Sequence, residues 1–203
     1  FYQRQSLTVD GRSSVPINGL INDLNLMSRR RGESLDQEFR VTMSYLADFT
    51  NNERLSGRKL STSAAYWDVY SQTLNMGVRL GRQSNWETGA LGRFDGAAFS
   101  YRPTDNLALG LTGGFLIDTS FDSPVVDRPF FMISGEYISV SGNLAVSPFF
   151  VQQQADGVID RQSLGASAQY YSERIMLFSL VDYDLHLSAL NNITLTGNFT
   201  FGR

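Results

Sequence analysis

The sequence predicts an all-β fold: an antiparallel up-and-down transmembrane β-barrel with about twelve strands. Three observations carry that reading. A two-residue rhythm of apolar and polar residues recurs along the chain, clearest in Phe39, Val41, Met43, Tyr45, in Leu74, Met76, Val78, Leu80, and in Ile193, Leu195, Gly197, Phe199, Phe201. The alternating segments run to about a dozen residues, nearer the ~9–11 tilted residues that cross a bilayer than the ~5–6 of a soluble strand. The connections between them alternate between short and long, as in membrane barrels with tight turns on one rim and loops on the other.

Taken in order, alternating runs bounded by turn residues place strands at 1–9, 18–30, 36–50, 58–71, 73–83, 93–102, 106–117, 129–140, 143–154, 158–172, 174–187 and 190–202. Tight turns are expected at Ser71-Gln72, Pro103 to Asp105, Ser141-Gly142 and Ser172-Glu173, and longer loops at Asn51 to Gly57, Ser84 to Gly92 and Asp118 to Arg128. Asp156-Gly157 and Asn191-Asn192 read as short turns on the long-loop side. Where alternation is clean, one outward row is Phe39, Val41, Met43, Tyr45, Ala47 and Phe49. A second is Leu107, Leu109, Leu111, Gly113, Phe115 and Ile117, and a third Leu164, Ala166, Ala168 and Tyr170, opposite Arg161, Ser163, Gly165, Ser167 and Gln169. Aromatics gather near strand ends (Trp67 with Tyr66 and Tyr70, Phe149-Phe150, Tyr170-Tyr171), where membrane interfaces favour them, although aromatics suit strands anywhere.

Composition sets the bounds. The 203 residues are read as one domain, 1–203. Charged residues make up 18%, below the ~25% of soluble domains, while Gly accounts for 18 residues and aromatics for 12%. No stretch approaches the ~18 apolar residues of a spanning helix, so a membrane would have to be crossed by strands. The absence of Cys excludes disulfides and thiolate metal sites, no cofactor is expected, and a net charge of -3 gives no reason to expect nucleic acid. Sixteen of the 17 cations are Arg and one is Lys59. Arg suits semi-buried pairing on an inner wall, and a lineage bias explains the same count. The first residues already read as strand, with no secretion signal, and the end runs past Phe201 to Gly202-Arg203; both suggest a processed or excised piece whose natural chain continues.

The residues with chemistry fall on the polar faces. Inward positions are read for Glu38, Arg40, Asp68, Arg79, Arg93, Asp95, Arg161, Asp182, Asp184 and His186. Such charges shape the field of a lumen or simply pair off. The stretch Arg79 to Gly96 is rich in Gly and Arg; with Arg82 and Glu87 it reads as a constriction loop over 84–92 folded inward by charge-assisted hydrogen bonds. It lacks the ending of a phosphate-binding loop. His186 lies two residues from Asp184, with Ser188 next, the chemistry of a base and its orienter. A nucleophile inside the wall would not meet lipid outside it, so no catalytic residue and no enzyme activity are expected. Asp118, Asp122 and Asp127 lack calcium-loop spacing, so no metal is expected.

The segments Arg79 to Gly96, Val151 to Arg161 and Leu177 to Asp184 resemble bacterial outer-membrane β-barrels of the porin-like class, within a group of large envelope barrels of Gram-negative bacteria, over roughly residues 35–203. The resemblance implies outer-membrane localisation, contact with outer-membrane lipid, and further strands or other envelope proteins completing the wall. Three functions remain open on the residues: a porin-like passive channel for small polar or charged solutes; a structural or assembly barrel plugged by inward groups such as Phe130, Met176 and Phe178; and a soluble β-barrel with an apolar ligand inside.

Overall fold

The computed structural model describes residues 2–9, 12–49, 57–84, 92–117, 120 and 126–201. Over them the chain forms one antiparallel sheet of twelve strands, each paired with its neighbours in sequence order. The strands are β1 (Tyr2–Val9), β2 (Arg12–Arg31), β3 (Leu35–Asp48), β4 (Gly57–Ser71), β5 (Met76–Ser84), β6 (Arg93–Thr104), β7 (Leu107–Ile117), β8 (Pro129–Ile138), β9 (Leu144–Ala155), β10 (Val158–Tyr171), β11 (Ile175–Asp184) and β12 (Ala189–Phe199). The expected all-β, antiparallel, up-and-down class is the observed one. Among the described residues no pairing joins β12 to β1, so the sheet is unclosed.

Turn chemistry accounts for the hairpins. Asp156 and Gly157 both take positive φ (53° and 79°), the type I′ geometry that joins two twisted strands with two residues. Several boundaries move by up to three residues, as at β5, which begins at Met76 rather than 73, and two differences from the sequence reading stand out. β2 begins at Arg12 rather than at 18, because it continues to pair with β1 across one register shift between Gln5 and Leu7. β11 stops at Asp184, and Asn191-Asn192 lies inside β12 rather than forming a turn. The cause is Asp184: its Oδ1 accepts the backbone N–H of His186 (2.8 Å) and of Leu187 (3.0 Å), closing the turn early in the manner of Asp side chains.

The two faces are partitioned the opposite way from a soluble sheet. On β7, Leu109 and Leu111 are exposed while Thr112 is buried; on β10, Leu164 is exposed while Ser163 and Ser167 are buried. Among the described residues, backbone approaches between strands join only those consecutive in sequence, so no second layer of strands covers the buried face. Met132, Val151 and Ser163 nevertheless have 0% exposure, which requires the sheet to curl around that face. At its centre Phe94, Phe130, Met132, Phe149, Val151 and Leu180 form one apolar cluster, with Leu116 and Phe178 against it. Phe94 meets Phe130 edge to face, with ring centroids 5.0 Å apart.

One glycine row shapes the curl. Gly81, Gly96 and Gly114 stand opposite one another across β5, β6 and β7. A Cβ on any of them would run into the neighbouring strand's backbone: Ala65 O, Gly113 O and Asp95 O respectively. Only glycine permits the strands to approach this closely at one level, one inward row from Phe94.

Two of the expected outward rows end early, since Ala47 and Ile117 are buried near the long-loop rim. Trp67 is outward and exposed, whereas Tyr66 and Tyr70 fall on the other face of β4 by alternation, so these three do not form one girdle. Phe149 is likewise inward and buried; its neighbour Phe150 lies against Phe131 on the outer face, centroids 5.7 Å apart.

Candidate functional site: the inner wall

The inner wall has two unlike parts. Along β2 to β5 it is polar. Arg29 pairs with Glu38, whose Oε1 accepts the Tyr66 hydroxyl at 2.9 Å. Arg79 donates from Nε to Asp68 Oδ2 at 2.7 Å, and its guanidinium carbon lies 4.7 Å from the Tyr66 ring centroid, a cation–π contact. Further toward the long-loop rim, Thr42 donates to Asn25 (3.3 Å) and Ser44 to Asp23 (2.5 Å). These groups share a face because Arg29, Glu38, Asp68 and Arg79 form one register row across four strands. Arg40 sits on the same face beside Tyr66, with its Nε buried and without a hydrogen-bond partner among the described residues.

A second polar group lies at the far side of the sheet. Arg161 of β10 pairs with Asp182 of β11 and donates from Nε to Ser163 Oγ at 3.0 Å. Asn191 donates to the same Asp182 Oδ2 at 2.7 Å, while Asp182 Oδ1 is buried without a hydrogen-bond partner among the described residues. Between the two polar regions stands the apolar cluster.

The expected site residues therefore separate into distinct pairs. Glu38, Arg40, Asp68, Arg79, Arg161, Asp182 and Asp184 fall on the inner face. Asp95, expected inward, pairs in register with Arg82 and Phe115, in the row parity of Leu80, Phe99 and Leu111, so alternation puts Arg82 and Asp95 on the opposite face. Arg93 shares that parity, for the same reason. Arg82 and Asp95 form a bidentate pair (Nε–Oδ1 2.9 Å, Nη2–Oδ2 2.8 Å), and Nη1 also reaches Thr62 O at 3.3 Å. This guanidinium ties β5 and β6 to β4 above the point where β4–β5 pairing ends, at Ala65 and Arg82. His186 is not on the wall either. It lies in the β11–β12 turn, and Asp184 Oδ1 holds the turn backbone.

The loop expected to fold inward, 84–92, has its residues 85–91 outside the described residues, as do Asp118 and Asp122. A different connection makes a cross-wall contact. Ser120, between β7 and β8, accepts the Thr62 N–H on its carbonyl at 2.7 Å and the Ser61 hydroxyl on Oγ at 2.5 Å. It thereby occupies the edge of β4 beyond the reach of β5. No sequence signal points to this contact, because it depends on how far the sheet curls. The inward apolar cluster was legible in principle: Phe94 shares parity with Gly96 and Ala98, and Phe130 with Met132.

Recesses open on this wall among the described residues. One, of about 360 Å³, lies between β4 and β8 and includes Asp68, Gly77, Arg79, Ser100, Gly110 and Ser134 in its lining. A smaller one, of about 180 Å³, lies among Arg29, Arg31, Asp36, Glu38, Asp68 and Tyr70 near the short-turn rim.

No family model matches the sequence, and no curated protein matches it. Among solved structures the chain is similar to OccK2 (OpdF) of Pseudomonas aeruginosa, with a TM-score of 0.49 and 12% identity, covering 89% of this chain and 61% of that one. The same protein in complex with glucuronate gives a TM-score of 0.46 at 12% identity, with the same coverage. The chain thus spans about 61% of the length of that protein.

Proposed function

We propose that this chain forms the wall of a bacterial outer-membrane β-barrel and acts as a porin-like passive channel for small polar or charged solutes, without a chemical step. The observation that carries the reading is the inverted partition of the sheet. Leu24, Leu26, Leu109, Leu111, Ile133, Leu164, Val181 and Leu195 are exposed on one face, while the pairs Arg29–Glu38, Arg79–Asp68 and Arg161–Asp182 line the other; Arg82–Asp95 alone of the pairs described above shares the apolar face, near the long-loop rim. In water such an apolar band would be an aggregation surface; in a bilayer it is the solvated surface. The same partition argues against a soluble barrel with an apolar interior. Solutes would pass along the polar strip of β2 to β5, where matched charges set the field. Lipid does not tolerate free strand edges, so β1 and β12 are joined to each other or through further strands or envelope proteins.

A second reading is favoured by one observation. The apolar cluster of Phe94, Phe130, Met132, Phe149, Val151 and Leu180 sits inside the curl, as a plug would in a structural or assembly barrel. Reconstitution in a planar bilayer separates the two. Stepwise conductance with weak selectivity between cations and anions supports the channel. Insertion without conductance sinks it in favour of the plugged barrel, and a monomer that stays folded in plain buffer removes the membrane reading altogether.

A further inference from the structure

The larger recess of the inner wall is built in a way that a passage for ions does not require. Its floor is one register row, Gly77, Ser100, Gly110 and Ser134, running across β5 to β8. A Cβ on Gly77 would lie 2.7 Å from Ser100 Oγ, and one on Gly110 would lie 2.5 Å from Ser134 Oγ. The two hydroxyls lean over the two glycines, and the recess exists because those positions carry no side chain. The next row adds Arg79, Ala98 and Thr112, with Gln83 and Phe94 toward the long-loop rim.

The charges in this recess are matched. Arg79 and Asp68 are bonded to each other, yet their side chains keep 39% and 25% exposure, so both are reachable from the cavity. An ion of either sign meets a guanidinium and a carboxylate a few ångströms apart, and attraction and repulsion largely cancel. A neutral solute with a hydroxyl donor beside an oxygen acceptor gains from both partners at once, and the serine hydroxyls donate or accept as the solute demands. About 360 Å³ corresponds to roughly a dozen waters at ~30 Å³ each, room for one monosaccharide-sized molecule with bridging waters.

We propose that this recess is a subsite for a small neutral polyhydroxylated solute, held by the Asp68–Arg79 pair through adjacent hydroxyls and by Ser100 and Ser134 on the floor. The subsite rests on reading this face as the solute-exposed lumen wall. The test is calorimetric titration of the folded protein in detergent micelles with sorbitol and with gluconate, which share a carbon skeleton but differ in charge. Saturable sorbitol binding is expected, with gluconate about tenfold weaker or more. Gly110→Leu, whose side chain enters the recess past a movable Ser134 hydroxyl, abolishes sorbitol binding. Ser100→Ala, which leaves the wall intact, weakens it about three- to tenfold. Asp68→Asn leaves Arg79 without its carboxylate and turns the preference toward gluconate. Heat-modifiable migration on a gel verifies that each variant is folded. Absence of saturable sorbitol binding, equal binding of gluconate, or a folded Gly110→Leu that binds like the parent overturns the subsite. Bilayer conductance without sorbitol binding overturns the subsite alone, whereas sorbitol binding by a silent barrel overturns the channel alone.

Discussion

The inner wall of β2 to β5 and that of β6 to β11 face the same space and are held together by different physics. On β2 to β5 the side chains are charged or hydroxylated, partly exposed, and satisfied by one another: Arg29 with Glu38, Glu38 with Tyr66, Arg79 with Asp68. On β6 to β11 the cluster of Phe94, Phe130, Met132, Phe149, Val151 and Leu180 is apolar and close-packed, and Met132 and Val151 have no exposure at all. Partly exposed ion pairs contribute little to stability, typically ~0–1 kcal/mol each, because water screens them and both partners lose rotamer freedom. Buried aromatic and aliphatic groups contribute several times more. The wall therefore has a side stabilised mainly by packing, the stiff side, and a soft side whose charges can change without unfolding it.

The largest effect should come from opening the stiff side. Phe130→Ala removes the ring that meets Phe94 edge to face, at a cost of about 3–5 kcal/mol. Its thermal unfolding in detergent, followed by circular dichroism, should shift down by several degrees, and its bilayer conductance should rise above that of the parent. An unchanged midpoint would mean that the cluster does not hold the curl. Next comes the polar group beside the cluster. Asp182→Asn leaves the Arg161 guanidinium without its carboxylate in a half-buried place, for about 2–3 kcal/mol, below the 3–5 of a fully buried pair. The same melt measures it, and a loss under 1 kcal/mol would put this pair with the soft side. The smallest change in stability belongs to Glu38→Gln, at about 1 kcal/mol or less. Removing one negative charge from the strip should nevertheless move the reversal potential in a salt gradient toward anions. A shift toward cations, or none, would show that ions do not pass along β2 to β5.

Much of this molecule was legible from residues alone. The short-range signals that place strands, alternation and turn residues such as Asp156-Gly157, act locally and survive without knowledge of the fold. That is why the strand count and most boundaries agree. The misplacements arose where one side chain or one register decided. Asp184 captured the backbone of the next turn and carried His186 off the wall. The register of β5, β6 and β7 puts Asp95, expected inward, on the outer face, where it pairs with Arg82.

The period of two, with the length of the alternating segments and the rhythm of their connections, by itself determined the fold class and most of which residues share a face, because a strand offers its side chains only two directions. How the polar residues group was decided by the tertiary structure alone. Register set Arg79 against Asp68 and Tyr66, and Arg161 against Asp182. The curl set Phe94 against Phe130 and brought Ser120 to the edge of β4. Those contacts join residues far apart in sequence, and no local propensity encodes a distance across a curved sheet.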